Sequence, residues 1–321
     1  MHKRLVNQCT IDFSLIPCGP ILIKSGREGA DPTKPDMEFV ETYHGGGRSV
    51  YLPGSSLKGA IRAHGERIVR TVGRDNRNSD NPNSLWANDP LNDNYDYLKD
   101  KSSSELYKLS SFTDQMFGNT SIASRIRIED AYPVDSQSVK LEERNGVAID
   151  RVFGSTVPGA LFNYQVCTAG EFRTKLHLKN FSLAQLGLIG LVLRDLDEGW
   201  FGLGFAKSRG LGIVEVKLNQ AVVQYPGCVV ENQRIRSLGG GGEWQDNQLL
   251  GAGVFLAEAE RERYGFPAND MQDTPVRAES MALGFGVQLK WRGKEQVEDL
   301  FMRAVRAWCQ RVEADSSPYV A

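Results

Sequence analysis

The segment from Ser182 to Gly199 is delimited at both ends by local chemistry, so it restricts how everything on either side can run. Ser182 with Gln185 three residues on makes a capping box, and a helix therefore opens here. Leu186, Ile189, Leu193 and Leu196 supply its apolar stripe, and Gly199 stands where a terminating glycine belongs. Gly187 and Gly190 inside it each cost about 1 kcal/mol of helix propensity, which implies that another backbone comes close to this face. Upstream, Gly159–Cys167 and Phe172–Leu178 read as two strands, and downstream Ile213–Leu218 reads as a third.

A second strand-to-helix unit lies nearer the start. Residues 3 to 23 alternate loosely through Leu5, Cys9, Ile11, Phe13 and Leu15, then meet Gly19-Pro20, which predicts a buried first strand that bends. Val50–Arg70 reads as a short strand, a break at Pro53-Gly54 and a helix opening at Ser55-Ser56. A Ser at the N-cap accepts from a free helix N–H, and the remaining N–H groups with the helix dipole favour an anion, so this first turn is a candidate phosphate seat. Lys58 and Arg62 project from one face, whereas Leu57, Ile61, Ile68 and Val72 occupy another. The competing reading is an ordinary capped helix with solvated cations. Ser124–Glu129 alternates with period two, which predicts a half-buried strand with Arg125 and Arg127 side by side on its polar face.

The connections carry the remaining chemistry. Lys24–Arg48 holds four carboxylates, Glu28, Asp31, Asp36 and Glu38, in a loop delivered to the mouth of the first helix. Residues 73–112, rich in Asn, Asp and Ser, read as an insertion on the surface, partly helical from Leu85 to Leu109. Gly199–Gly212 contains Gly202-x-Gly204-x-x-Lys207, but it lacks the third glycine and precedes a strand, the reverse of a dinucleotide-binding turn. With Gly204 and Gly210 flanking Lys207, Ser208 and Arg209, the loop can instead bring backbone and cations close to a phosphodiester. Beyond residue 220, Met281–Trp291 predicts a strand and Glu295–Val312 an amphipathic helix in which Trp308 is core.

Composition excludes several classes. The formal net charge of −2 gives no global attraction for nucleic acid, so any such surface is local. Five cysteines are scattered without a C-x-x-C pair, which argues against a disulfide framework or a zinc site and for a reducing, cytoplasmic compartment. No apolar run is long enough to span a bilayer, and no nucleophile–base pair marks a small-molecule enzyme.

Strand, helix, strand, strand, helix, strand is the ferredoxin-like or RRM-like α+β order, β-α-β-β-α-β. Pro53-Gly-Ser-Ser-Leu-Lys-Gly59 with Arg62, Phe117-Gly118, Arg125–Ala131 (RIRIEDA), Ile149-Asp150-Arg151 and Lys207-Ser-Arg-Gly-Leu-Gly212 together resemble the RAMP superfamily of CRISPR-associated proteins. Within it the chain looks most like the backbone subunit of type III effector complexes. The resemblance implies a RAMP domain over residues 1–220, with the insertion at about 73–112, a thumb hairpin at about 132–151, and a C-terminal extension over 221–321. It implies that the guide RNA is gripped by Ser55, Ser56, Lys58, Arg62, Arg125, Arg127, Arg151, Gly204, Lys207, Ser208, Arg209 and Gly210. Complementary target RNA and the other RAMP and large subunits are the implied partners. Active members cleave target RNA with an Asp before the PGSS helix, which maps to Asp36, with Asp31 second, aided by a divalent metal such as magnesium; no resident metal ligands and no organic cofactor are implied. Two alternatives stay open: a non-catalytic structural RAMP subunit, and a repeat-processing RNA endonuclease using His44 as general base.

Overall fold

A computed structural model describes residues 3–26, 34–79, 81, 84–91 and 94–315. β1 (Gln8–Pro17) lies at the centre of the main sheet, with Cys9, Ile11, Phe13 and Leu15 buried on one side of the pleat. β2 (Glu41–His44) and β3 (Gly47–Val50) form a hairpin that leads into α1 (Gly54–Val72). α2 (Ser103–Leu109) and α3 (Asp114–Phe117) precede the short strands β4 (Ile126–Ile128) and β5 (Tyr132–Pro133). A long hairpin of β6 (Lys140–Ile149) and β7 (Thr156–Ala169) follows, then β8 (Phe172–Lys179), α4 (Leu183–Asp197) and β9 (Val214–Tyr225).

β1 pairs antiparallel with β8 on one side and β9 on the other, and β4 pairs with β8. The resulting order β9–β1–β8–β4 is fourth, first, third, second among the core strands, the ferredoxin-like arrangement expected from the element order. α1 and α4 meet closely, with Gly65 of α1 against Leu188 and Val192 of α4.

The C-terminal part joins this core. β10 (Cys228–Glu231), β11 (Arg234–Ser237) and β12 (Glu243–Gln245) make a small meander, while β13 (Gln248–Leu250) pairs with β14 (Met271–Asp273) around α5 (Glu258–Tyr264). β15 (Glu279–Ser280) and β16 (Val287–Arg292) then extend the main sheet beyond β9, and α6 (Gly293–Asp315) packs on α4. A Cβ on Gly187 would lie 2.5 Å from the Ala304 carbonyl oxygen, and one on Gly190 would lie 2.8 Å from Phe301. The glycines inside α4 thus make room for α6, and the first does so against its backbone. Leu300 and Trp308 are buried in the same core as β1, each such side chain being worth about 2 kcal/mol of hydrophobic free energy. Asp270 fastens the extension to α4 a second time, its carboxylate accepting from the N–H groups of Leu183 and Gly253, and burial pushes that carboxyl up to about 7.

Three expectations need correction. The strand expected at Gly159–Cys167 is not a main-sheet strand: it lies in β7, which pairs with β6 and carries that hairpin beyond Arg151. The insertion is not merely superficial, because Leu85, Ala87, Leu98, Tyr107 and Phe112 are buried. Arg125 does not share a solvent face with Arg127; it precedes β4, donates to the Asn180 carbonyl oxygen and lies 3.8 Å from the Tyr107 ring centre. A ring from the insertion and a backbone acceptor together compensate the buried cation, and neither is visible in the local alternation.

Candidate nucleic-acid interface

α1 begins one residue earlier than the serines suggest, with Pro53 at the N-cap and no side-chain cap of its own. Its opening residue is a glycine for steric reasons, since a Cβ on Gly54 would lie 2.3 Å from the Ile128 carbonyl oxygen. The Gly54 N–H donates to Asp130 Oδ1 at 2.7 Å, so a protein carboxylate already sits at one corner of the positive helix end. Ser55 is exposed and Ser56 half-buried behind it.

The basic face of α1 turns inward. Arg62 donates to Glu66 Oε1 at 2.8 Å, to the Gly118 carbonyl at 3.0 Å and to Asp114 Oδ1 at 2.8 Å. Burial works against its charge, but Glu66 and Asp114 outweigh that and leave its pKa raised. Asp114 is itself driven up by burial despite Arg62. Lys58 Nζ donates to Ser124 Oγ at 2.8 Å, and burial together with the Arg62 charge lowers its pKa. Both cations thus face the segment 114–124, which contains the Phe117-Gly118 motif.

The glycine-rich loop behaves differently. A Cβ on Gly204 would lie 2.2 Å from the Leu22 carbonyl oxygen, and one on Gly212 the same distance from that of Leu203, so these glycines serve approaches within the chain. Phe205 N–H and Gly212 N–H donate to the Leu22 and Pro20 carbonyl oxygens, fixing the loop to the extended segment after β1. Held on that frame, Lys207, Ser208, Arg209 and Gly210 are exposed, and Gly210 has open space around it. Phe201 at the base of the loop stacks on His64 of α1, with 4.3 Å between ring centres, while His64 Nε2 lies 2.7 Å from Asp195 Oδ2. The loop base therefore rests on the middle of α1.

Asp36 is exposed beside the middle of the β6–β7 hairpin, where Asn163 pairs with Asn145. Its N–H donates to Asn163 Oδ1 at 2.7 Å and its Oδ2 accepts from the Asn163 N–H at 2.9 Å, while Asn163 Nδ2 donates to Glu143 Oε1 at 3.0 Å. One asparagine of β7 thus ties two carboxylates together. Asp31 and Glu28 lie outside the described residues. Arg127 is exposed and paired with Glu129, and Arg151 sits exposed in the hairpin turn. His44 is exposed at the tip of the β2–β3 hairpin with its ring flat on Tyr132, 3.7 Å between centres.

Three contributors escape a reading of the sequence: Asn163, which holds Asp36; Asp130, which caps α1; and Val152 with Phe153, each 83% exposed at the hairpin turn. Only Asp130 had a signal, its place in the RIRIEDA segment. Among the described residues, no helix is long and apolar enough to cross a membrane.

No curated protein matches the chain closely enough to name a relative. Residues 16–215 match the model of the RAMP superfamily, a span that begins inside β1, ends inside β9 and contains α1, the hairpin, α4 and the glycine-rich loop. The chain belongs to the RAMP superfamily, and its role is accordingly CRISPR-associated and RNA-binding.

Proposed function

We propose that this chain is a guide-gripping backbone subunit of a type III CRISPR effector complex that cleaves complementary target RNA at its own site. Phosphates of the guide lie along the exposed Lys207–Arg209 turn and toward Ser55 and Ser56, with Arg127 and Arg151 on the flank and Lys58 turned toward Ser124. Arg62 and Arg125 brace that surface from inside. Such contacts carry no sequence information, which suits recognition delegated to base pairing. Val152 and Phe153 at the hairpin turn supply an apolar wedge against stacked bases.

The observation that carries the catalytic part is the bond between Asp36 and Asn163. It holds a carboxylate against the middle of the hairpin, beside the Asn145–Asn163 pair, where a target nucleotide displaced by the wedge would present its 2′-hydroxyl. Asp36 then accepts that proton as the 2′-oxygen attacks the adjacent phosphate. The P–O5′ bond breaks, leaving a 2′,3′-cyclic phosphate on one fragment and a 5′-oxygen on the other that takes its proton from water. Among the described residues no three His, Cys, Asp or Glu side chains form a ready metal cage. Magnesium often takes only one or two carboxylates and completes its shell with water and substrate phosphates, so Asp36 would supply one ligand to an ion that arrives with RNA. When bound, such an ion supplies electrostatic stabilisation of the phosphate.

The same bond favours a second reading, in which Asp36 only braces the hairpin of a non-catalytic subunit. Reconstituting the complex with magnesium and target RNA separates them. Asp36→Ala is expected to lower cleavage at the facing site by about a hundredfold or more with guide content unchanged. Undiminished cleavage at every site would leave only the bracing role.

A further inference from the structure

Tyr51, Tyr132 and His44 come from three separate segments and form a ladder of nearly parallel rings. Tyr51 and Tyr132 are 5.8 Å apart at 17°, and Tyr132 and His44 are 3.7 Å apart at 10°. Gly45 and Gly46, both at positive φ, turn the hairpin immediately after His44 and so fix the last rung. His44 is solvent-exposed, so the ladder ends on the protein surface. Tyr132 also lines an open depression of about 850 Å³ whose wall includes Arg127, Arg173 and Lys175 together with Asp12, Glu129 and Asp130. Arg173 is held by Asp12 and Arg127 by Glu129, which leaves Lys175, among the described residues, as the exposed cation of the wall without an ion pair.

We infer that this ladder is a stacking seat for one unpaired RNA base, the base lying on the outer face of His44 and the neighbouring phosphate reaching Lys175. This rests on the reading of the chain as an RNA-binding subunit and adds a base-contacting site to its phosphate contacts. Aromatic faces accept any base, so the seat is sequence-tolerant like the rest of the surface. Its position supports the assignment, because Tyr51 lies three residues before the start of α1 and Tyr132 opens the segment leading to the β6–β7 hairpin.

The test uses the full chain and a single-stranded RNA carrying 2-aminopurine, whose fluorescence falls on stacking. The wild type is expected to quench the probe on binding. His44→Ala should lose that quench and weaken binding about fivefold or more, His44→Trp should retain both, and Lys175→Ala should weaken binding while the quench persists at saturation. Binding without a quench in the wild type, or an equal quench in His44→Ala, overturns the seat while leaving phosphate gripping intact. If Lys207→Glu with Arg209→Glu binds RNA normally while His44→Ala loses the quench, the proposed grip fails and the seat stands.

Discussion

Two basic stretches in this chain look alike as sequence and are put to opposite uses. Lys58 and Arg62, four residues apart on α1, spend their hydrogen bonds on Ser124, Gly118, Glu66 and Asp114. Lys207 and Arg209 stand in solvent on a loop whose backbone is pinned at Leu22 and Pro20. A cation is available for RNA only where the frame that carries it is satisfied by something else. In α1 the cations are part of the frame; in the loop, glycine-permitted backbone contacts do that task.

The contrast can be broken by three substitutions, beginning with the largest effect. Arg62→Ala strands the fully buried Asp114 carboxylate and should cost about 3 kcal/mol of stability, measured by urea unfolding; a loss below about 1 kcal/mol would return Arg62 to the surface class. Lys207→Glu with Arg209→Glu should leave the unfolding midpoint almost unmoved, within about 0.5 kcal/mol, yet weaken RNA binding about tenfold or more and flatten its salt dependence. Unaltered binding would remove the loop from the interface. Lys58→Gln sharpens the boundary between the two: it loses one hydrogen bond worth about 1 kcal/mol and should shift RNA affinity only slightly. An effect as large as that of the loop pair would restore the α1 opening as an equal partner.

The parts of the fold that were legible in the sequence are those whose code is local. The capping box of Ser182 and Gln185 forms as the spacing requires, Gly199 follows the end of α4 at positive φ, and Gly187 does admit another backbone. The six-element order led directly to the observed sheet, because each strand is bounded by its own turn signals. Partnership was illegible. Nothing near Arg62 announces Asp114, fifty-two residues on, and nothing near Arg125 announces the Tyr107 ring. The capping of α1 by Asp130 instead of a serine has the same origin, since the strand that presses on Gly54 also brings its own carboxylate. The extent of the hairpin was misjudged because a strand's pattern does not reveal its neighbour.

The docking of α6 on α4 has a consequence for biosynthesis. Gly187 faces Ala304 and β16 completes the sheet beside β9, so the helix preceding the Lys207–Arg209 loop lacks its covering layer until the chain beyond residue 304 has left the ribosome. Contacts this distant in sequence form slowly, and a nascent chain paused before that point would display the uncovered side of α4 to chaperones. Maturation of this chain is therefore tied to the arrival of α6.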